Sequence, residues 1–324
     1  MINSLYMMPT NKCNSACSYC YIPHEMAEQV ENDAIFYDWL DQFIQHIKEE
    51  QNNSPEIRII GGEPYLKPKL IKDIAHQFLS SFKTSTVIIN TNGTLLTKEF
   101  LTTIPKKLRD RIIHVISLDG TENVHNARRK LKNRKNAFRE TINGIKLLQQ
   151  FGMPFSINMV LDEFSVSHLD SFMNYLTKEM QVFEMGVSLL YQPGQKSKPE
   201  KEFSLLKRVY ALAEKHGILL SGHHRLKLGH RIYSLQCKAG QKSVLITPQG
   251  KMFACQRFVG RTEGIENITE LSRVPFDKFH EQVNNTCYCH EQETLGDLLY
   301  KFYEDYHPTY LKITKLDKRF FGVI

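Results

Sequence analysis

Short runs of apolar, β-branched residues recur up to about residue 190, and each leads into a stretch whose apolar positions return every three or four residues. The runs are Leu5–Pro9, Ile57–Ile60, Thr86–Asn90, Ile112–Leu118, Phe155–Leu161 and Val187–Tyr191. Each is near-continuously apolar, the pattern of a parallel strand covered on both faces. Between them, Phe36, Leu40, Phe43, Ile44 and Ile47 share one helical face. Phe138, Ile142, Ile145 and Leu148 share another, and Leu169, Phe172, Met173 and Leu176 a third. Six strands alternating with helices predict an α/β fold with a parallel sheet, curved or closed. Pro193–Pro199 reads as a polar turn and linker, followed by a helix around Phe203–His216. Past about residue 218 the alternation fades. A boundary there gives a first domain over 1–217 and a second over 218–324. The chain shows no internal repeat.

Composition narrows this picture. With 324 residues and 41% of them hydrophobic, the chain can bury a large core. It has no run of eighteen apolar residues, so no transmembrane helix is expected. The start, Met1–Tyr6, does not read as a signal peptide, and a cytoplasmic protein is the default expectation. The net charge of +7 mildly favours acidic partners. Its densest source is the run from Arg128 to Lys135, which reads as a solvated loop entering a helix. A carboxylate, phosphate or acidic-peptide site is the alternative. No nucleic-acid signature accompanies the run.

The chain has seven cysteines, and they are unevenly placed. Cys13, Cys17 and Cys20 sit together just after the first strand; Cys237, Cys255, Cys287 and Cys289 lie in the last third. Clustered cysteines in a reducing compartment point to metal ligation. Three thiolates within eight residues can wrap one inorganic centre and leave a coordination position open. The triplet alone also admits a zinc site completed by His24 and hence a zinc-binding interaction protein without catalysis.

Further motifs end the later strands. Gly61-Gly62-Glu63-Pro64 follows the second, Asn90-Thr91-Asn92-Gly93-Thr94 the third and Ser117-Leu118-Asp119-Gly120 the fourth. In parallel α/β folds ligands bind beyond the carboxyl ends of strands. Together with Cys13-Asn14-Ser15-Ala16-Cys17-Ser18-Tyr19-Cys20, these stretches resemble the radical S-adenosylmethionine (SAM) superfamily, in its SPASM/twitch-type branch of peptide- and protein-modifying maturases. The resemblance spans roughly residues 5–260. His125 and the arginines after it resemble that branch's His-Asp-x-x-Arg stretch, with Asn126 in place of the aspartate.

The resemblance implies a partial (β/α)6 TIM-like barrel with a small C-terminal cysteine-rich auxiliary-cluster domain. It implies a 4Fe-4S cluster on Cys13, Cys17 and Cys20, and SAM on its open iron. Glu63 would meet the SAM ammonium and Tyr19 the adenine. Ser117 with one of Arg128, Arg129 and Arg139 would hold the carboxylate, with Gly61, Gly62, Pro64, Asn90 and Asp119 completing the cofactor site. The reduced cluster would cleave SAM to a 5′-deoxyadenosyl radical that takes a hydrogen from the substrate.

Cys237-x12-Gly250-x4-Cys255 resembles the opening of an auxiliary-cluster motif, with Pro248-Gln249-Gly250 as a hairpin turn. Cys287 and Cys289 would complete one auxiliary iron–sulfur cluster, with His290 able to replace a ligand. A four-cysteine zinc site is the alternative. Sulfatase maturases place an aspartate after an auxiliary-cluster cysteine, whereas Gln256 follows Cys255 here. The expected substrate is a ribosomally made peptide, and the expected product an oxidative cross-link. Peptide epimerisation and small-molecule dehydrogenation are the alternatives. Expected partners are the peptide substrate and a reductant such as flavodoxin or ferredoxin; because the first strand begins so near residue 1, leader recognition is expected from the barrel, the tail or a separate leader-binding protein.

Overall fold

A computed structural model describes residues 2–51, 54–190, 199–222, 239–240, 242–260 and 264. Each expected strand is present: β1 (Ser4–Met7), β3 (Glu56–Ile59), β4 (Thr86–Thr91), β5 (Ile112–Ser117), β7 (Phe155–Leu161) and β8 (Glu184–Leu189). Short strands β2 (Ser15–Cys17), β6 (Arg129–Leu131), β9 (Leu219–Gly222), β10 (Ser243–Ile246) and β11 (Met252–Phe253) join them. The helices are α1 (Ala34–Glu49), α2 (Pro68–Ser81), α3 (Lys98–Thr102), α4 (Glu122–Arg128), α5 (Ala137–Gln150), α6 (Glu163–Ser167), α7 (Leu169–Lys178) and α8 (Pro199–His216). The polar segment expected as a linker falls largely outside the described residues.

The chain divides into two units. Among described residues, the first holds those up to Ser117, Arg129–Phe155 and those from 239 to 264. Its strands run in the order β11-β10-β1-β3-β4-β5. All these pairings are parallel except β10 with β11. The second unit holds Leu118–Arg128 and the stretch from Ser156 to 222, with β7, β8 and β9 paired in parallel. The α/β class with parallel strands is therefore the observed one.

Helix starts follow local chemistry. Asn136 accepts the Arg139 N–H at 3.0 Å ahead of α5, and Asp162 and Ser165 form a reciprocal capping box on α6. Phe43 stacks on Phe78 to join α1 to α2, their centroids 6.1 Å apart.

The apolar runs suggested strands covered on both faces; β4 buries Val87, Ile88 and Ile89 in succession, but β1, β3 and β5 are covered unequally. Leu5, Met7, Ile57, Ile59, Ile112 and Ile116 are buried, whereas Ser4, Tyr6, Glu56, Arg58, Ile113, Val115 and Ser117, on the other face, are half-buried. The less-buried face carries an Arg58–Glu56 ion pair of 3.3 Å, with Arg58 over the Tyr6 ring. Tyrosine and arginine stems bury like apolar residues while their tips stay polar, which is why a two-faced strand reads as an apolar run.

On the covered face His114 is fully buried, and its Nε2 shares a 2.5 Å hydrogen bond with the Tyr65 hydroxyl. Burial pushes this imidazole down to about 4, against an ordinary value of 6.5. Between those values the unfolded chain takes a proton that the fold refuses. The stabilisation is thus complete above pH 6.5 and is lost as pH falls toward 4. Denaturant unfolding should lose about 2 kcal/mol from this group between roughly pH 7 and 5. A His114→Gln variant should show a correspondingly shallower slope; an identical slope would refute the assignment.

Candidate functional site

The first unit gathers three strand-end loops. Gly62 N–H donates to the Thr10 carbonyl at 2.9 Å, and Glu63 N–H to the Lys12 carbonyl at 2.8 Å. This contact leaves no room for side chains. A Cβ on Gly62 would lie 2.0 Å from the Lys12 oxygen, and one on Gly61, where φ is +144°, 2.6 Å from the Thr10 oxygen. The close approach these glycines permit is to the main chain leading into Cys13.

Glu63 is fully buried. Its Oε1 accepts from Tyr65 N–H at 3.0 Å and Thr91 Oγ1 at 2.6 Å, and its Oε2 from Asn92 N–H at 2.8 Å. Burial raises this carboxyl above its ordinary range, and the three donors oppose that shift. One lone-pair direction on Oε2 is left by these contacts.

Asn92 joins all three loops. Its Nδ2 donates to Asn14 Oδ1 at 2.8 Å and Ser15 Oγ at 3.2 Å, and lies 4.0 Å from Cys13 Sγ. Its Oδ1 accepts from Thr94 N–H at 2.9 Å, and its carbonyl accepts from Thr141 Oγ1 on α5 at 2.9 Å. Gly144 on the same helix lets the turn press in, since a Cβ there would lie 2.1 Å from the Gly93 oxygen. Sequence reasoning singled out Asn90 from this stretch and passed over Asn92, Thr91, Thr141 and Gly144. An asparagine three residues past Ile89, the last apolar strand position, was the available signal. Asn90, the next-to-last residue of β4, has a buried Oδ1 with no hydrogen-bond partner among the described residues.

The cysteine loop is held by donors facing sulfur. Ser15 N–H donates to Cys13 Sγ at 3.4 Å, and Arg129 reaches Cys17 Sγ at 3.9 Å. Ser15–Cys17 pairs antiparallel with Arg129–Leu131, Cys17 opposite Arg129. Arg129 also lies over the Tyr19 ring, 5.2 Å from its centroid. Burial pushes the bare Cys13 thiol up to about 11. The basic run divides here: Arg128 and Arg129 turn inward, whereas Lys130, Lys132, Arg134 and Lys135 are exposed. Arg139 is exposed in the first turn of α5. Ser117, half-buried, ends β5.

In the second unit Asp119 is fully buried, its Oδ1 accepting from Val160 N–H at 3.1 Å and its Oδ2 lying 3.4 Å from Arg128 Nε. Arg128 also bonds Asp162 at 2.6 Å and the Val160 carbonyl at 3.2 Å. Asp119 N–H donates to His125 Nδ1 at 3.3 Å. The guanidinium of Arg128 thus ties the Asp119 turn to the end of β7.

The expected hairpin turn is present between β10 and β11, with Gly250 at φ +77° and Thr247 N–H bonded to the Lys251 carbonyl at 3.0 Å. Gln249 at its tip accepts from Asn11 Nδ2 at 3.2 Å, which links it to the approach to the cysteine loop. Cys255 follows β11. Cys237, Cys287, Cys289 and His290 lie outside the described residues, as does the side chain of His24.

Among the described residues, no three His, Cys, Asp or Glu side chains are grouped tightly enough for a single metal ion. A four-iron cluster is larger than one ion and spreads its thiolates wider. N–H groups aimed at two of the three sulfurs suit thiolate ligands, which hydrogen bonds stabilise.

The model of the radical SAM superfamily matches residues 7–176. The chain belongs to the radical SAM superfamily. This radical SAM enzyme is 26% identical over 174 residues to a serine-type anaerobic sulfatase-maturating enzyme of Bacteroides thetaiotaomicron, a match covering 50% of this chain and 40% of that one. It is 22% identical over 297 residues to the radical SAM cyclopropyl synthase TigE of Paramaledivibacter caminithermalis, covering 83% of this chain and 61% of the relative. It therefore spans about half of these curated relatives' length. In structure it resembles anSMEcpe with bound AdoMet, at a TM-score of 0.72 and 17% identity over 97% of this chain and 100% of that one. It also resembles Streptococcus suis SuiB bound to precursor peptide SuiA, at 0.63 and 15% over 90% and 67%. These likenesses share the α/β fold with this radical SAM enzyme. SAM and a 4Fe-4S cluster are the superfamily's cofactors. No helix among the described residues is long and apolar enough to cross a membrane.

Proposed function

We propose that this radical SAM enzyme modifies a ribosomally made peptide and joins two of its side chains in an oxidative cross-link. The observation that carries the reading is the hairpin of β10 and β11. It sets Cys255 in the same unit as Cys13, Cys17 and Cys20, and its turn bonds the approach to their loop. Support also comes from similar proteins: a sulfatase-maturating enzyme, the cyclopropyl synthase TigE, and SuiB, solved bound to its precursor peptide SuiA.

In this reading Cys13, Cys17 and Cys20 hold the 4Fe-4S cluster, and SAM supplies a carbon radical when cluster and SAM are both bound. The remaining lone pair of Glu63 receives the SAM ammonium, a charge-assisted contact. Asn90, whose buried Oδ1 has no partner among the described residues, and Ser117 offer polar groups to the rest of SAM. Gly61, Gly62 and Pro64 shape the loop beside it, and Tyr19 meets the adenine. Asp119 and Arg128 brace the loop that follows Ser117. Cys237, Cys255, Cys287 and Cys289 carry one auxiliary cluster. A flavodoxin- or ferredoxin-like protein supplies electrons.

Seven cysteines, less three and four ligands, leave none to return a hydrogen atom to a substrate radical. The substrate, having given one hydrogen atom to the 5′-deoxyadenosyl radical, would attack a neighbouring side chain, release a proton and pass one electron to the auxiliary cluster, so two hydrogens leave in all. Peptide encoded beside the gene, matured in heavy water and weighed by mass spectrometry, should be lighter by two hydrogens. Unchanged connectivity with one solvent deuterium would establish epimerisation instead.

A further inference from the structure

We propose that Arg129 tunes the SAM-cleaving cluster: its guanidinium bonds the Cys17 thiolate, covers Tyr19 and raises the cluster's reduction potential. The inference rests on the reading of Cys13, Cys17 and Cys20 as the cluster ligands. The sequence places two arginines side by side, and nothing in their spacing separates their duties. Their surroundings do. Arg128 is 5% exposed and spends its guanidinium on Asp119, Asp162 and the Val160 carbonyl, all in the second unit. Arg129 starts β6, which belongs to the first unit and pairs with the cysteine loop itself.

The pairing fixes the distance. Cys17 stands opposite Arg129 in the two-stranded ladder, and Lys132 N–H extends the attachment by donating to the Asn14 carbonyl at 2.8 Å. From that backbone position the guanidinium lies 3.9 Å from Cys17 Sγ and 5.2 Å from the Tyr19 centroid. The ring and the sulfur thus restrain the same side chain from two sides, and a cation over an aromatic face is itself favourable.

The electrostatic consequence has a fixed sign. Reduction adds one negative charge to the cluster. A hydrogen-bond donor and a permanent positive charge at one of its sulfurs favour the more negative state. Guanidinium does not lose its proton in the working pH range, so the effect does not switch with pH. Arg129 is therefore a positioning residue that acts through Cys17, and its first signature is a potential.

The test uses the full chain, reconstituted anaerobically, without SAM. Wild type, Arg129→Met and Arg129→Lys are titrated with dithionite against redox mediators and followed by electron paramagnetic resonance. The signal that changes when SAM is later added identifies the relevant cluster. Arg129→Met should keep its iron and sulfide content and show a more negative midpoint, with Arg129→Lys between it and wild type. An unmoved midpoint at equal iron content would overturn the proposal. So would a midpoint that differs only after SAM is added, which would assign Arg129 to SAM instead. If Arg129→Met loads no iron, Arg129→Gln keeps a donor without the charge, and the same two outcomes decide. A Cys13, Cys17 and Cys20 triple-alanine variant that still gives the SAM-responsive signal would instead sink the ligand reading on which this rests.

Discussion

Glu63→Gln is expected to cost about 3 kcal/mol of folding stability, from leaving a buried backbone donor without its acceptor at a fully buried site. Three donors converge on it, from Tyr65, Thr91 and Asn92. An amide offers one acceptor oxygen where the carboxylate offers two. If the amide oxygen of the variant keeps the two donors of Oε1, its NH2 faces the Asn92 N–H, donor against donor. Asn92 then shifts, and with it the bonds to Asn14 and Ser15 that hold the cysteine loop. The denaturation midpoint should fall with little change in slope, and SAM affinity should fall too. Weaker SAM binding at unchanged stability would reduce Glu63 to a ligand contact alone.

Gly62→Ala is expected to be as damaging, at or beyond the roughly 3 kcal/mol upper end of ordinary overpacking. Its Cβ would stand 2.0 Å from the Lys12 carbonyl oxygen and 2.7 Å from that of Asn11. Both neighbours are main chain, so neither can rotate away, and relief requires the segment leading to Cys13 to move. Iron incorporation should therefore collapse together with stability. Gly152→Ala is the control: its φ is +63°, and nothing lies within 4 Å of the added carbon. That change should cost only about 1 kcal/mol, the backbone penalty alone. Equal losses at the two positions would refute the contact argument.

Much of this was legible in the sequence because apolar runs and strand-end motifs are local. All six expected strands exist, and the motif glycines, Glu63 and the cysteine loop share one unit. What was not legible depends on distant pairing. The ladder between Ser15–Cys17 and Arg129–Leu131 joins segments over a hundred residues apart, and a three-residue strand has no periodicity to detect. The burial of Arg128 beside Asp119 hid inside a run of charges that otherwise reads as solvated. Glu63 looked like a group aimed only at a ligand, because its donors Thr91 and Asn92 come from a strand end and a loop that sequence spacing does not bring near.

The parallel pairing of β1 with β10 sets Ser4 beside Ser243. In biosynthesis these strands emerge far apart in time. At roughly 5–20 residues per second, β10 follows β1 by roughly 10–50 s. Through that interval β1, the strand leading into the cysteine loop, has one unpaired edge, open to pairing with another chain. The nascent protein is most exposed to misassembly beside the cysteine loop proposed to carry its cluster, and the last described strands are what close it.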